Sequence, residues 1–488
     1  MKLVSLVGFI SFLFVFFGAP SLAQDKLISA GKKFVNDPEL AHAAISMAVY
    51  DLDQKKYLFA HNSSMAIPPA STVKLFATST ALEILGPSYR CATRLYSTNH
   101  IQNGQIDHLW IRGGGDISLG SRFYEEEDSI SNFLKAWADE LYKKGLRQVN
   151  GNIIGDGSEF SYQGGPDGWT WSDMGNYYGS PPSGLPVYDN MLRYYFKVSG
   201  RVGTSAELVR VFPEIKGLEF THSIESARVH GDHSYIYGAP YSYVRMGVGR
   251  LPRNSEAFMV KGSIPDPEFQ FASELKRVLQ ERGIKVIGEA KGFRTMEQSP
   301  AKLRYKGLTL LHTHYGESIS SIATWTNMRS VNVFAEQLIS LVAHESGQSG
   351  STGSATRFLM TYWGKRIETG GLNLRDGSGL SRSNAVSAQN YCSLLEYMHL
   401  SKHKDVFRAT LPVAGESGTM RNICKNGSAR GRIQAKSGTM NRIKSYSGYV
   451  NSANNRKLAF AILVNNHTCS NWQLVKKMEH VFNTMASL

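Results

Sequence analysis

Several motifs that mark common enzyme classes are absent from this 488-residue chain. It contains no G-x-S-x-G, no H-E-x-x-H, no P-loop and no G-x-G-x-x-G. The stretch "RGGGDISLG" at Arg112 approaches the dinucleotide motif, but Ser118 occupies the position of its third glycine. We interpret that stretch as a tight turn, and we expect no cofactor and no metal.

Cysteine is scarce, with four residues in the whole chain. Their spacing contains no C-x-x-C pair and matches no zinc site. In an exported protein the four could form up to two disulfides in three connectivities, or they could remain as partly buried thiols. The sequence leaves both alternatives open for Cys91, Cys392, Cys424 and Cys469.

Long apolar runs are absent after the first 23 residues, so we expect no later membrane span. The start itself combines Lys2, the apolar run "LVSLVGFISFLFVFFGAP" and small residues at Ser21 and Ala23. This order is typical of a secretory signal peptide cleaved after Ala23, and the alternative is an uncleaved anchor helix. No cysteine lies near the cleavage site, which argues against a lipid-anchored start.

The chain is basic, with 54 Lys and Arg against 40 Asp and Glu, a formal net charge of +14. The basic residues are spread along the chain and form no arginine-rich arm. This distribution favours diffuse attraction to anionic cell-wall polymers or acidic lipid headgroups over nucleic-acid binding. A last helix with Trp472, Val475, Phe482 and Met485 on one face is expected to pack in the core; membrane-surface contact is the alternative.

The apolar pattern predicts both strands and helices. Two strands around a polar turn are expected in 44–62, followed by a helix that Gly86 and Pro87 end. A hairpin follows, with Asn103 and Gly104 in its turn.

Two later segments, starting at Phe133 and Phe271, each read as amphipathic helix, glycine stop and short apolar strand. Such a pair is expected in one subdomain that is split by an all-β insert over about 189–262. After about residue 300 we predict a long helical region over 319–344 and a helix over 386–400. The chain is then expected to end in three strands and a helix.

The pattern S-x-x-K occurs five times, so the bare match identifies nothing by itself. Only Ser71 and Lys74 lie at the start of a strongly apolar helix, where i, i+3 spacing puts both side chains on one face. Burial there would lower the pKa of Lys74, which can accept a proton only when neutral. The other pairs lie in unsuitable contexts: Ser29/Lys32, Ser273/Lys276, Ser299/Lys302 and Ser401/Lys404.

Two further motifs complete a candidate catalytic set. K-[ST]-G occurs once, and its lysine offers a second cation that could bind a carboxylate or lower the pKa of Lys74. The glycine of this motif would let a substrate backbone approach closely. Between the motifs, a serine hydroxyl could relay a proton and an asparagine amide could hold a substrate carbonyl. These residues are Lys436, Ser437, Gly438, Ser330 and Asn332.

This ordered set resembles that of the penicillin-recognising serine enzymes. Val331 stands where relatives often have aspartate, and the third motif is K-S-G, but neither change removes a catalytic atom. The long interval of 259 positions from Ser71 to Ser330 resembles that of the class C low-molecular-mass penicillin-binding proteins, the D-alanyl-D-alanine carboxypeptidase/endopeptidase family. Phrases along most of the mature chain resemble the same family, among them "GWTWSDMGNYYGSPPSGLPVYDN", "DGSGLSRSN" and "AKSGTMNRIKSYSGYV".

The resemblance implies an α/β (α+β) fold: a serine-β-lactamase-like, DD-peptidase-like transpeptidase domain with a large two-domain insertion. The catalytic domain would span 24–92 and 298–488, and a second domain 93–188 and 264–297. A β-rich third domain over 189–263 would be nested in the second. The implied location is the periplasm or cell-wall zone of a bacterium.

The resemblance also implies roles for individual residues. Ser71 would be acylated by the penultimate D-alanine of a peptidoglycan stem peptide, and water would then release the product. The backbone N–H groups of Ser71 and Thr439 would form the oxyanion hole, and Lys436, Ser437 and Thr439 would hold the substrate carboxylate. A diaminopimelate-type side chain would be recognised by a second set: Asp173, Tyr178, Arg382, Met440 and Asn441. For Asp173 a helix-capping role is the alternative, and Arg382 could equally be a surface arginine.

Two rival functions are a β-lactamase and a catalytically silent peptidoglycan-binding protein. No motif for a dedicated deacylating glutamate is seen, and the insertion is excessive for a β-lactamase. All catalytic motif side chains are retained, which argues against a silent protein. β-Lactams are expected to act as covalent inhibitors.

Overall fold

A computed structural model describes residues 22–126, 131–161, 164–296 and 305–488. Of the predicted signal segment, residues 1–21 lie outside the described residues, and so does the pair Ser299/Lys302. Within the described ranges, no helix combines the length and apolarity that crossing a membrane requires.

A five-stranded antiparallel sheet, in the order β17-β18-β19-β1-β2, joins the two ends of the chain. β1 pairs with β19 over its whole length, from Ala44 opposite Asn465 to Asp51 opposite Leu458. The predicted strand pair and the three late strands are confirmed. The strands are β1 (Ala44–Asp51), β2 (Lys56–His61), β17 (Ile433–Met440), β18 (Ile443–Asn451) and β19 (Lys457–Asn465).

Helices cover both faces of this sheet because its strands are apolar on both sides. Met47 and Val49 of β1 join one hydrophobic cluster, and Ala48 between them joins another. The first cluster includes α1 (Leu22–Val35) and α12 (Asn471–Ala486). The second cluster, on the opposite face of the sheet, contains residues of six more helices. These are α2 (Lys74–Ile84), α7 (Ile319–Met328), α8 (Asn332–Glu345), α9 (Thr352–Gly364), α10 (Ala388–Leu400) and α11 (Lys404–Ala409).

A second, mixed sheet has the order β15-β7-β5-β3-β16, and a small parallel sheet has the order β14-β6-β4. The two similar segments lie side by side, because β6 pairs with β14 and β7 with β15. Their helices α3 (Asn132–Lys143) and α5 (Pro267–Glu281) contact each other. The strands are β3 (Arg90–Ser97), β4 (Gln105–Ile106), β5 (Leu109–Arg112), β6 (Gln148–Val149), β7 (Ile153–Asp156), β14 (Lys285–Val286), β15 (Ala290–Gly292) and β16 (Thr309–Ser318).

Between these segments the chain forms two three-stranded sheets, ordered β13-β8-β9 and β10-β12-β11. Aromatic rings of Tyr194, Phe196 and Phe220 pack between them. The strands are β8 (Met191–Val198), β9 (Glu207–Phe212), β10 (Glu219–Ala227), β11 (His233–Tyr237), β12 (Val244–Pro252) and β13 (Ser255–Ser263). Two short helices, α4 (Trp171–Met174) and α6 (Phe293–Met296), flank this part of the chain.

Two helix predictions need correction. The predicted long helix over 319–344 is two helices, because Ser330 takes a left-handed φ of 58° and interrupts the helical hydrogen bonds. On α12, Trp472 is 68% exposed and does not belong to the buried face. Phe482 and Met485 belong to that face as predicted, together with Leu474, Met478 and Val481.

The structure selects the thiol alternative for the cysteines. All four are free, and three of them are buried. Burial raises the pKa of Cys91, Cys392 and Cys424, so these thiols are poorly reactive.

Candidate active site

Ser71 lies in a 3₁₀ turn over Ala70–Val73, and Lys74 is the first residue of α2. Ala70 enters the turn with a positive φ of 50°, a conformation that non-glycine residues rarely adopt and that is concentrated at functional sites. The turn brings the Lys74 Nζ within 3.0 Å of the Ser71 Oγ. Ser71 was predicted at the start of a helix, and it lies in a tight 3₁₀ turn directly before α2 rather than in the first turn of that α-helix.

The Lys74 amine is surrounded by acceptors and is fully buried. Besides Ser71, its Nζ donates to Asn332 Oδ1 at 2.7 Å and to the Ser378 carbonyl at 2.5 Å. Burial lowers the Lys74 pKa to about 7, although Asp376 and Glu336 oppose this shift. A neutral amine has two N–H groups and one lone pair. It can satisfy the two carbonyl oxygens and still accept the Ser71 hydroxyl proton.

The loop that presents the Ser378 carbonyl is held by two buried acids. The Glu336 carboxylate accepts hydrogen bonds from the N–H groups of Gly377 and Ser378 at 2.7–3.1 Å. Asp376 accepts from the indole of Trp169 at 2.9 Å and from the backbone of the same loop. Sequence reasoning missed both acids. The available signal was an acidic residue four positions after Asn332 in an otherwise apolar helix.

Ser330 and Asn332 flank the break between α7 and α8 and turn toward different lysines. The Ser330 Oγ accepts a hydrogen bond from Lys436 Nζ at 2.9 Å. The Asn332 side chain accepts from Lys74 and donates through Nδ2 to the Tyr178 carbonyl at 2.8 Å. The left-handed φ of Ser330 is thus what lets neighbouring positions serve two different amines.

The third motif lies on β17, at the edge of the large sheet. Burial, together with the nearby Lys74 and Lys444 amines, lowers the pKa of Lys436 well below its usual value. The Ser437 hydroxyl lies 2.9 Å from the hydroxyl of Thr419, and Lys444 donates to Thr439 Oγ1 at 2.6 Å. Thr419 and Lys444 were not predicted, and no motif marks them.

The structure explains why position 438 is glycine by a close contact that the sequence did not predict. A Cβ at this position would lie 2.3 Å from Ser445 Oγ, 2.7 Å from the Pro69 carbonyl and 3.0 Å from the Ser71 N. The missing side chain therefore lets β17 pack against the turn that carries Ser71.

The five residues of the second predicted set divide into a pair and a group of three. The Asp173 carboxylate caps α4, accepting from Thr170 Oγ1 at 2.7 Å, and also contacts the Tyr178 hydroxyl, whose pKa is raised mainly by burial. Exposed Arg382 donates to the Asn441 carbonyl at 3.2 Å, next to Met440. The capping alternative for Asp173 is thus observed, and recognition of a substrate amine by this set stays a prediction.

Comparison with known proteins agrees with this geometry. The model of the D-Ala-D-Ala carboxypeptidase 3 (S13) family matches residues 29–485, and the chain therefore belongs to that family. The family resemblance and the fold class inferred from the sequence are confirmed. The protein is a serine-type D-Ala-D-Ala carboxypeptidase.

Individual relatives cover most of the chain. It is 28% identical over 456 residues to the D-alanyl-D-alanine carboxypeptidase of Actinomadura sp. (strain R39), covering 89% of this chain and 80% of that one. It is 24% identical over 480 residues to DacB of Haemophilus influenzae, covering 93% and 91%. A crystal structure of penicillin binding protein 4 from Haemophilus influenzae superposes with a TM-score of 0.79 at 22% identity, covering 94% and 99%.

Proposed function

We propose that the protein cleaves peptidoglycan stem peptides through an acyl-enzyme on Ser71, both as carboxypeptidase and as endopeptidase. The observation that carries this proposal is the buried Lys74 amine, 3.0 Å from the Ser71 hydroxyl and with its pKa lowered to about 7. A lysine in this state is a competent general base near neutral pH.

In the proposed acylation, Ser71 Oγ attacks the carbonyl of the penultimate D-alanine while its proton passes to Lys74 Nζ. As the bond to the leaving amine breaks, that amine takes the Ser330 hydroxyl proton, and Ser330 recovers a proton from Lys436, whose Nζ donates to its Oγ. The proton held by Lys74 then passes to the nearby Lys436 amine, so that Lys74 is neutral again before deacylation. Asn332 holds the Lys74 amine in position at 2.7 Å. In deacylation a water attacks the acyl carbonyl and gives its proton to Lys74. The ester bond then breaks, Ser71 Oγ takes that proton back from Lys74, and the shortened peptide leaves with a new carboxyl group.

The remaining assignments concern substrate binding. The backbone N–H groups of Ser71 and Thr439 would form the oxyanion hole. Ser437 and Thr439 would hold the terminal carboxylate with Lys436, and the exposed Thr439 hydroxyl supports this role. A diaminopimelate-type side chain would lie between the second set of residues, its ammonium toward an aspartate and its carboxylate toward an arginine. That set is Asp173, Tyr178, Arg382, Met440 and Asn441.

The sheets support a division into three domains with the boundaries expected from the sequence. Strands from both ends of the chain form one sheet, strands on either side of residues 189–263 form the mixed sheet, and 189–263 contains its own two sheets. We further infer that residues 1–23 are a cleaved signal peptide and that the mature enzyme works in the periplasm. Its basic surface would favour the acidic cell wall, and peripheral contact with acidic lipids as well.

A covalent β-lactam label tests the proposal. Fluorescent penicillin should label the wild-type protein and fail to label Ser71→Ala, because no acyl-enzyme can form. The label should persist for hours, and a lifetime of milliseconds would identify a β-lactamase instead. Digestion of defined monomeric and cross-linked muropeptides should release D-alanine and separated stems, respectively. Absence of both products would support the silent wall-binding alternative.

A further inference from the structure

A cavity of about 460 Å³ borders the reaction centre on the side of the break between α7 and α8. Ser330 and Asn332 form part of its wall, and the same two side chains contact the amines of Lys436 and Lys74. A group bound in this cavity would therefore lie beside the reacting bond. Of the residues assigned to substrate binding above, Tyr178 also lines this cavity, whereas the cations on its walls have no assigned role.

The cavity carries an excess of positive charge. Arg122, Lys261 and Arg329 line it, and Asp189 is the acidic residue among its described walls. Asp189 is buried and lies 3.4 Å from the Arg122 guanidinium. The side chains of Lys261 and Arg329 make no hydrogen bond or ion pair with any residue that the structure describes. Two cations thus remain for a ligand.

The surroundings of Lys261 disfavour its positive charge, so a bound anion would stabilise this residue. Burial lowers its pKa, Arg122 and Arg193 lower it further, and Asp232 and Asp189 only partly oppose this. Its amine lies 5.5 Å from the Tyr177 ring centroid, so an aromatic face also favours its charged form. A carboxylate in the cavity would stabilise the charged form of Lys261 directly.

The walls also indicate the kind of molecule that carries the anion. Tyr177, Phe123 and Trp325 line the cavity beside the cations, so the space suits a peptide carboxylate with apolar atoms around it. An adjoining cavity shares Arg122 and Lys261 with the first but is also lined by Glu125 and Glu126. Arg193 also lines the adjoining cavity, so three cations face two acids there, against three cations and one acid in the cavity beside Ser330. The cavity beside Ser330 therefore has the larger excess of positive charge.

We propose that this cavity binds the α-carboxylate of a γ-linked glutamate in the acidic stem peptide, a group separate from the D-alanyl-D-alanine carboxylate and from the diaminopimelate-type side chain assigned above. The enzyme would thereby select peptides in which that carboxylate is free over peptides in which it is amidated. This inference rests on the proposed peptidase function and adds a specificity determinant to it.

The test compares two pentapeptides that differ only in a free or amidated glutamate α-carboxylate. The wild-type kcat/KM should favour the free acid about tenfold, equivalent to ~1.4 kcal/mol. In Lys261→Met this ratio should fall toward one, mainly through KM, whereas Lys261→Arg should keep it. Lys365→Met, an exposed lysine remote from the site, is the matched control and should keep the wild-type ratio. Thermal unfolding of each variant checks that it is folded.

Cross-linked dimers with the same two glutamate forms identify the source of the carboxylate. A preference seen with dimers alone would support the cavity and assign the carboxylate to the second stem peptide. A wild-type ratio near one for every substrate, or an unchanged ratio in Lys261→Met, would overturn the inference. Loss of D-alanine release and of penicillin labelling in the wild type would instead refute the proposed function.

Discussion

The strongest prediction concerns the pH dependence of acylation. Lys74 must be neutral to accept the Ser71 proton, and its pKa is lowered to about 7. The neutral fraction is then about one tenth at pH 6 and about nine tenths at pH 8. The second-order rate of acylation by a β-lactam should therefore rise about tenfold between these two pH values and rise no further above them.

This prediction is specific because the pKa of Lys74 is lowered rather than raised. A lysine with an ordinary pKa near 10.4 would give a rate that keeps rising about tenfold per pH unit up to pH 10. In this protein burial lowers the Lys74 pKa to about 7, so the rate should not continue to rise toward pH 10. Lys444, with its pKa lowered to about 8, also loses its proton in the upper range and weakens carboxylate binding there. A gentle decline above pH 8 is thus expected.

The assay is stopped-flow acylation by a fluorescent penicillin from pH 5.5 to 10, with thermal unfolding measured over the same range. Asp376 is the largest influence that raises the Lys74 pKa. Asp376→Asn should therefore move the midpoint below 7, provided circular dichroism shows that the variant is folded. A rate independent of pH between 6 and 8, or one still rising at pH 10, would refute the role given to Lys74.

Three further predictions address packing and the thiols. Gly438→Ala should slow acylation by about 10²-fold because its Cβ would push β17 away from the Ser71 turn. Gly165→Ala is the control, because open space surrounds Gly165, and it should acylate at the wild-type rate. Equal acylation rates in the two variants would contradict the packing described for Gly438. Thr80→Val leaves the buried Trp363 indole N–H without its acceptor and should cost about 1–3 kcal/mol in urea unfolding. The control Thr361→Val, at an exposed threonine, should change the free energy of unfolding by no more than about 0.5 kcal/mol. Equal losses of stability in Thr80→Val and Thr361→Val would contradict the importance of the buried Trp363–Thr80 hydrogen bond. Ellman's reagent should titrate four thiols in denaturant, whereas in the native protein the three buried thiols should react slowly and only the partly exposed Cys469 should react readily. Fewer than four thiols in denaturant would reveal a disulfide.

Much of the fold followed from local patterns. The β1–β2 pair, the turn at Asn103 and Gly104 and the three late strands depend on alternation and turn residues that neighbouring positions supply. The helix break at Ser330 did not follow, because no local turn residue marks its left-handed backbone, and its side chain contacts Lys436, which lies far away in the chain. Trp472 was placed wrongly because helical periodicity does not say which apolar residue faces the core.

For the site, the sequence by itself determined which side chains are available and in what order the three motifs occur. Only the tertiary structure decided that Lys74 is buried against Asn332 and the Ser378 carbonyl, some 258 and 304 positions away. It likewise decided that Glu336 and Asp376 hold the loop and that a cationic cavity adjoins Ser330. The physical reason is that a pKa, a cavity and a charge balance depend on which distant groups share the same space, and spacing along the chain does not carry that information.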